Sequence, residues 1–176
     1  MTDQVFDLLL REGMADYIGE PITQIEHMLE AAEIAFTRSY PSFVVVACLF
    51  HDIGHLLENH PRMGLLGVKD HEKIGAEYLR NLEFPEETCD LVENHVSAKR
   101  YLISIDPEYQ LSEASTQTLE YQGGRMSEEE IQEFRNRPNF QWYLKMRQID
   151  EEAKGDQFAK MKLEDFREIC ENFISP

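Results

Sequence analysis

The chain has 176 residues, 42% of them hydrophobic, and 34 acidic residues against 17 basic ones give a net charge of −17. That length supports one domain with a sizeable core and is short for two, so a single domain over 1–176 is expected. So acidic a surface repels nucleic acid and anionic membranes, and no apolar run nears the length of a membrane span, which points to a soluble, cytoplasmic protein that binds neither.

In chain order, MTDQVFDLLLREG lacks the basic and apolar regions of a signal peptide. PITQIEHMLEAAEIAFTR (21–38) reads as a helix opened by Pro21, because Ile22, Ile25, Leu29, Ala32 and Phe36 recur at steps of three and four. His27 rides on it. FVVVACLF (43–50) has the valines of a strand but runs on into HDIGHLLEN, and with Ser42 as N-cap a buried helix is expected. On that helix His51 and His55 are four apart on one face, with Asp52 one residue further round.

NHPRMGLLGVK (59–69) reads as a loop, His60 included, ended by Asp70 as the cap of HEKIGAEYLRNL (71–82), so that His71 stands at a helix start. Pro85 opens PEETCDLVENHVSAKRYL (85–102), with Leu91, Val92, His95, Val96 and Lys99 along one side. LSEASTQTLEYQGG (111–124) is a short helix ending at its glycines, and Ser127 with Glu130 makes a capping box for the acidic helix that follows. Asn139 or Pro138 opens NFQWYLKMRQIDEEAK (139–154), which carries Arg147 and Asp150 three apart, and an amphipathic helix at 162–173 completes an all-α architecture. Cys48, Cys89 and Cys170 are widely spaced and odd in number, as reduced packing residues would be.

The chemistry concentrates on His27, His51, Asp52, His71, His95 and Asp150. Imidazole nitrogens and carboxylate oxygens are ligands for borderline divalent metals, and an Asp between two ions can bridge them with its two oxygens. His51-Asp52 directly follows an apolar run, where a solvated charged pair is not expected, and a buried carboxylate needs a compensating partner. Metal is the expected partner, and these ligands suffice for two ions. Lys99 and Arg147 each share a helical face with a proposed ligand, which places them at the same pocket.

The order of these residues resembles the HD-domain fold, a helical bundle holding one or two metals. DYIGEPITQIEH (16–27), HDIGH (51–55), DHEKIGAEYL (70–79), ENHVSAKRYL (93–102), LSEASTQTLEYQGG (111–124) and KMRQIDEEAK (145–154) together resemble the mixed-valent di-iron oxygenases of that superfamily, in the glycine-forming 2-amino-1-hydroxyethylphosphonate dioxygenase branch. The likeness runs from about residue 14 to 154. It implies two irons, one Fe(II) and one Fe(III), with O2 as cosubstrate and a small phosphonate as substrate. One iron would be held by His27, His51, Asp52 and Asp150 and the other by His71 and His95, with Asp52 between them. Tyr17 and Glu20 match a lid whose Tyr oxygen covers the second iron, and His55 matches a pocket residue that is not a ligand. Lys99, Ser115, Thr118 and Arg147 match residues that hold the phosphonate, with Gln122 beside them. Free and trimethylated substrate amines remain open, and an HD-type phosphohydrolase acting on a phosphate ester is the alternative, since it shares every ligand.

Overall fold

A computed structural model describes residues 2–17, 22–155 and 159–174. It is all-α, with helices α1 (Thr2–Glu12), α2 (Gln24–Thr37), α3 (Ser42–Phe50), α4 (His71–Asn81), α5 (Glu86–Ile105), α6 (Glu113–Leu119), α7 (Glu128–Arg135), α8 (Phe140–Glu152) and α9 (Leu163–Ile174), plus a 3₁₀ turn at Ile53–Leu56. No helix among the described residues is long and apolar enough to cross a membrane.

The valine-rich run is helix α3, and it is the centre of the bundle: every residue from Val44 to Phe50 is buried. Helices α2, α5, α8 and α9 surround it. β-Branched residues are tolerated here because a helix apolar all round gains more from burial than it loses in propensity. Its N-cap is Pro41, and Ser42, expected as the cap, is already the first helical residue with no capping bond. Proline at the cap leaves φ near its fixed value and costs no donor the helix needs.

Helix α2 begins at Gln24, three residues after the expected start, because Thr23 and Glu26 form a reciprocal capping box; Pro21 lies outside the described residues. The buried stripe is Ile25, Met28, Ala32 and Ala35, and Phe36 is 47% exposed where the periodicity predicted burial. The alanines let α2 lie close on bulky α3. Helix α1 had no counterpart in the sequence reading, although it buries Val5, Phe6, Leu8 and Leu9 against α9 and the 3₁₀ turn.

The main departure lies at the centre of the molecule. The expected helix through HDIGH breaks after Phe50: His51 is the C-cap, Asp52 sits at φ −100 and ψ 9, and the chain continues as the 3₁₀ turn. His51 and His55 therefore do not share one α-helical face. The break lets α4 cross the turn backbone against backbone, since a Cβ built on Gly54 would overlap the carbonyl oxygen of His71 and one built on Gly75 would press on the amide of Gly54. That crossing delivers His71 beside Asp52. Asp70 precedes α4 at the cap position in a left-handed conformation (φ 57) but makes no side-chain capping bond.

Elsewhere the elements fall close to the reading. Ser127 and Glu130 form the capping box of α7, Asn139 is the N-cap of α8, and Gly123 and Gly124 take positive φ after α6. Asp90 on α5 accepts from Tyr143 at 2.5 Å and Asn139 at 2.8 Å, pinning α5 to α8. The three cysteines are free and buried. Gly54→Ala should cost about 3 kcal/mol or more through overpacking at the crossing, read as a melting midpoint lowered by roughly 5–10 °C, whereas Gly64→Ala, which meets no atom and carries only the strain of its positive φ of 60, should fall short of that.

Candidate metal centre

The six sequence-predicted ligands come from five parts of the bundle, and all arrive buried: His27 from α2, His51 and Asp52 from just after α3, His71 from the start of α4, His95 from mid-α5 and Asp150 from α8. Their donor atoms form two adjoining clusters. In one, His27 Nε2 lies 3.1 Å from His51 Nε2 and 3.2 Å from Asp150 Oδ1, and Asp52 Oδ2 stands 3.4 Å from His51 Nε2. In the other, His71 Nε2 lies 3.1 Å from His95 Nε2 and 3.3 Å from Asp52 Oδ1, with His95 Nε2 3.6 Å from the same oxygen. Metal–ligand bonds of about 2.1 Å separate neighbouring ligand atoms by roughly 3.0–3.4 Å, so both clusters have the spacing of a coordination shell. Asp52 turns one oxygen to each.

The backbone decides which ring nitrogens have lone pairs to offer. His27, His51 and His95 each aim Nδ1 at a carbonyl, of Ala153 (3.2 Å), Cys48 (2.8 Å) and Val92 (2.7 Å), so Nδ1 carries the proton and Nε2 is left as a ligand atom. A ring nitrogen of His55 also falls within 4.8 Å of donor atoms of Asp52 and His71. Its Nδ1, however, accepts the Val68 amide at 3.0 Å, which puts its proton on Nε2 and makes that atom a donor. His55 stacks on His71 at 3.9 Å instead. These residues fit a dinuclear metal site.

The clusters open on a cavity. Tyr17, half-buried and stacked on the His27 ring at 4.2 Å, lines one side together with Gln24. Lys99, Ser115, Thr118, Gln122 and Arg147 line another. Lys99 is 4% and Arg147 2% exposed, so neither is a solvated helix-surface cation. Lys99 donates to Thr118 Oγ1 at 3.0 Å and Arg147 donates to Ser115 Oγ at 3.4 Å while pairing with Asp150 and Glu151. Glu20 lies outside the described residues; every other predicted site residue is at the clusters or the cavity.

The HD-domain family profile matches residues 25–155, a span holding all the clustered ligands. The chain belongs to the HD-domain family. It is 42% identical over 154 residues, covering 85% of this chain and 76% of the relative, to the [1-hydroxy-2-(trimethylamino)ethyl]phosphonate dioxygenase (glycine-betaine-forming) of Leisingera caerulea. It is 36% identical over 175 residues, 97% of this chain and 86% of the relative, to the hydroxymethylphosphonate dioxygenase of Gimesia maris. An uncharacterized protein, L432 of Acanthamoeba polyphaga mimivirus, is 40% identical over 179 residues, 99% of this chain and 82% of that one.

Charge in this HD domain is balanced inside the site. Burial opposes the charge on His51, yet Asp52 and Asp150 outweigh it and lift His51 to about 10. Burial would raise Asp52, but His51 and His71 hold it well below the usual carboxylate range, and Arg147 with Lys154 does the same for Asp150. His95 is pushed down to about 3 by burial and by His71, so it presents a neutral ring. Burial and then Arg147 bring Lys99 down to about 7.

The cavity also contains residues that the sequence reading passed over. Met63 and Leu66, in the loop between His55 and His71 where the family likeness is weakest, form an apolar wall, and Val68 of the same loop fixes the His55 ring. Gln24 lines the cavity with a buried amide oxygen that has no hydrogen-bond partner among the described residues, as does Gln122. Lys154 lines it as well. Gln24 three residues before His27 and Lys154 four after Asp150 were the available signals, both at helical spacing. Purified protein should bind about two metal ions per chain, as the two donor clusters require; metal analysis should show His95→Ala losing about one of them and His55→Ala losing none.

Proposed function

We propose that the chain is a non-haem di-iron oxygenase that cleaves the carbon–phosphorus bond of a small 1-hydroxyphosphonate. The observation that carries this is one juxtaposition: two ligand clusters joined through Asp52 open on a cavity whose other wall buries Lys99 and Arg147. The printed names of two relatives, both phosphonate dioxygenases, support the same reaction. The chain would act as a single HD domain over its whole length.

In this reading His27, His51, Asp52 and Asp150 would hold one iron and His71 and His95, with the other oxygen of Asp52, would hold the second. When bound, the mixed-valent Fe(II)/Fe(III) pair supplies activation of O2 and removal of hydrogen from C1. Arg147 and Lys99 take the phosphonate dianion by charge, with Ser115 carrying a hydrogen bond from Arg147. Ser115 and Thr118 add hydroxyl contacts, and Gln122 borders them. Neutral His55 donates from Nε2 toward the substrate, and the Tyr17 hydroxyl, kept protonated by burial and by Asp52, closes the far side. Holding both ends of the substrate fixes C1 beside the second cluster before reaction, the entropic part of catalysis.

The overall reaction balances without a reductant. A 1-hydroxyphosphonate plus O2 has the composition of a carboxylic acid plus phosphate, so both oxygen atoms and all four electrons are accounted for in each turnover. The organic product is glycine if the 2-amino group is free and glycine betaine if it is trimethylated.

Oxygen-electrode and phosphate assays on iron-loaded protein with 1-hydroxy-2-aminoethylphosphonate and its trimethyl analogue should show equal O2 consumption and phosphate release, and none anaerobically. Anaerobic phosphate release from an ester would instead establish the hydrolase. Lys99→Ala should raise KM by about tenfold or more with metal content unchanged. Lys99 ordinarily titrates near 10.5 and here is down at about 7, so it is charged below that pH and neutral above it. Substrate affinity should fall as pH rises through about 7, and Lys99→Arg should abolish that loss because guanidinium stays charged.

A further inference from the structure

Lys154 stands just beyond α8 with its side chain only 6% exposed, and it has no part in the reading above. Its Nζ donates to Ser115 Oγ at 2.7 Å and to Ser112 Oγ at 3.5 Å, and lies 3.1 Å from Glu151 Oε2. A buried ammonium is costly unless its protons are placed, and these three acceptors match its three protons. Ser115 Oγ also accepts from Arg147 at 3.4 Å. A hydroxyl has two lone pairs and one proton. Two cationic donors occupy the lone pairs of Ser115, and among the described residues its proton is given to no protein acceptor, although Ser115 borders the cavity.

We propose that Lys154 is a positioning residue for the phosphonate: by donating to Ser115 Oγ it turns the serine proton into the cavity, where an oxyanion accepts it. This rests on the reading of that half of the cavity as the phosphonate subsite. Lys154 thereby strengthens the Ser115 contact through polarisation as well as direction, since a hydroxyl that accepts from a cation is a better donor. Lys154 also lies 3.9 Å from Asp150 Oδ1, so a merely structural role would show itself as metal loss.

Methylphosphonate titrated calorimetrically into metal-loaded protein separates these cases. Lys154→Met should weaken binding by about tenfold or more, as loss of a charge-assisted hydrogen bond does. Lys154→Arg should return most of it, Ser115→Ala should lose about as much, and adding Lys154→Met to Ser115→Ala should change affinity by less than about twofold. Metal content should stay constant throughout. Multiplying losses in the double variant, unchanged affinity in Lys154→Met, or parallel loss of metal would each overturn the proposal. Unchanged affinity in Ser115→Ala overturns it even where Lys154→Met fails to fold. Failure of the unmodified protein to bind methylphosphonate would overturn the phosphonate reading itself, and the role of Lys154 with it.

Discussion

Two carboxylates, Asp52 and Asp150, are buried at the centre of this bundle, and the surrounding structure is arranged to compensate them. An unpaired carboxylate in an apolar interior costs several kcal/mol. Among the protein's own groups the charge is met by His51, lifted to about 10, and by Arg147 and Lys154 around Asp150. Positive charge is thus drawn to the space that the donor atoms enclose. A divalent ion does the same work with more charge and better geometry, so metal binding displaces protons rather than creating a new need for cations.

Compensation alone would allow any nearby imidazole to serve, and the backbone narrows the choice. His51 and His95 reach back to carbonyls three residues earlier, Cys48 and Val92, which is the direction helical side chains naturally lean. His27 finds its carbonyl at Ala153, in the turn that ends α8. Each bond fixes Nε2 as the acceptor atom facing the cluster. The 59–69 loop does the opposite to His55 by giving it an amide proton at Nδ1, so a ring within reach of the site becomes a donor. Proximity brings the histidines together; hydrogen bonds to the main chain leave Nε2 of His27, His51 and His95 free to accept and make that of His55 a donor.

Much of this was legible in the sequence, and what was not has definite causes. Helices α2, α5, α7, α8 and α9 announce themselves by periodicity and caps, and HD, with the other ligands in order, marks the site. The break at His51–Asp52 is invisible locally, because the residues of HDIGHLLEN are compatible with continued helix. It is forced from outside by the Gly54–Gly75 crossing, a tertiary contact that overrides propensity. Phe36 fits the helical period but is exposed, because α2 buries Ala31, Ala32 and Ala35. Lys154 has the appearance of an ordinary helix-end cation, and only the fold shows that its ammonium is turned inward onto Ser115. Helix α1 carries an apolar stripe that was there to be read, but the segment was weighed only as a targeting signal.

The net charge of −17 would discourage any anionic substrate if it were spread evenly through the molecule, and α8 shows how it is not. Arg147, Asp150 and Glu151 on α8 and Lys154 in the turn just beyond it fall at successive steps of three, one and three, so one stripe offers a candidate metal ligand and two cations together. Glu151 touches both Arg147 and Lys154 and also accepts the Ser112 amide at 2.8 Å, tethering α6 to the stripe. Glu151 therefore secures both cations without lining the cavity, because its two oxygens are already committed to donors. Since Asp150 and Arg147 share one rigid helix, the distance between the metal cluster and the anion-binding wall is set by helical geometry. That spacing is in place before a substrate arrives, so little of the binding energy of one that bridges the two goes into ordering the protein.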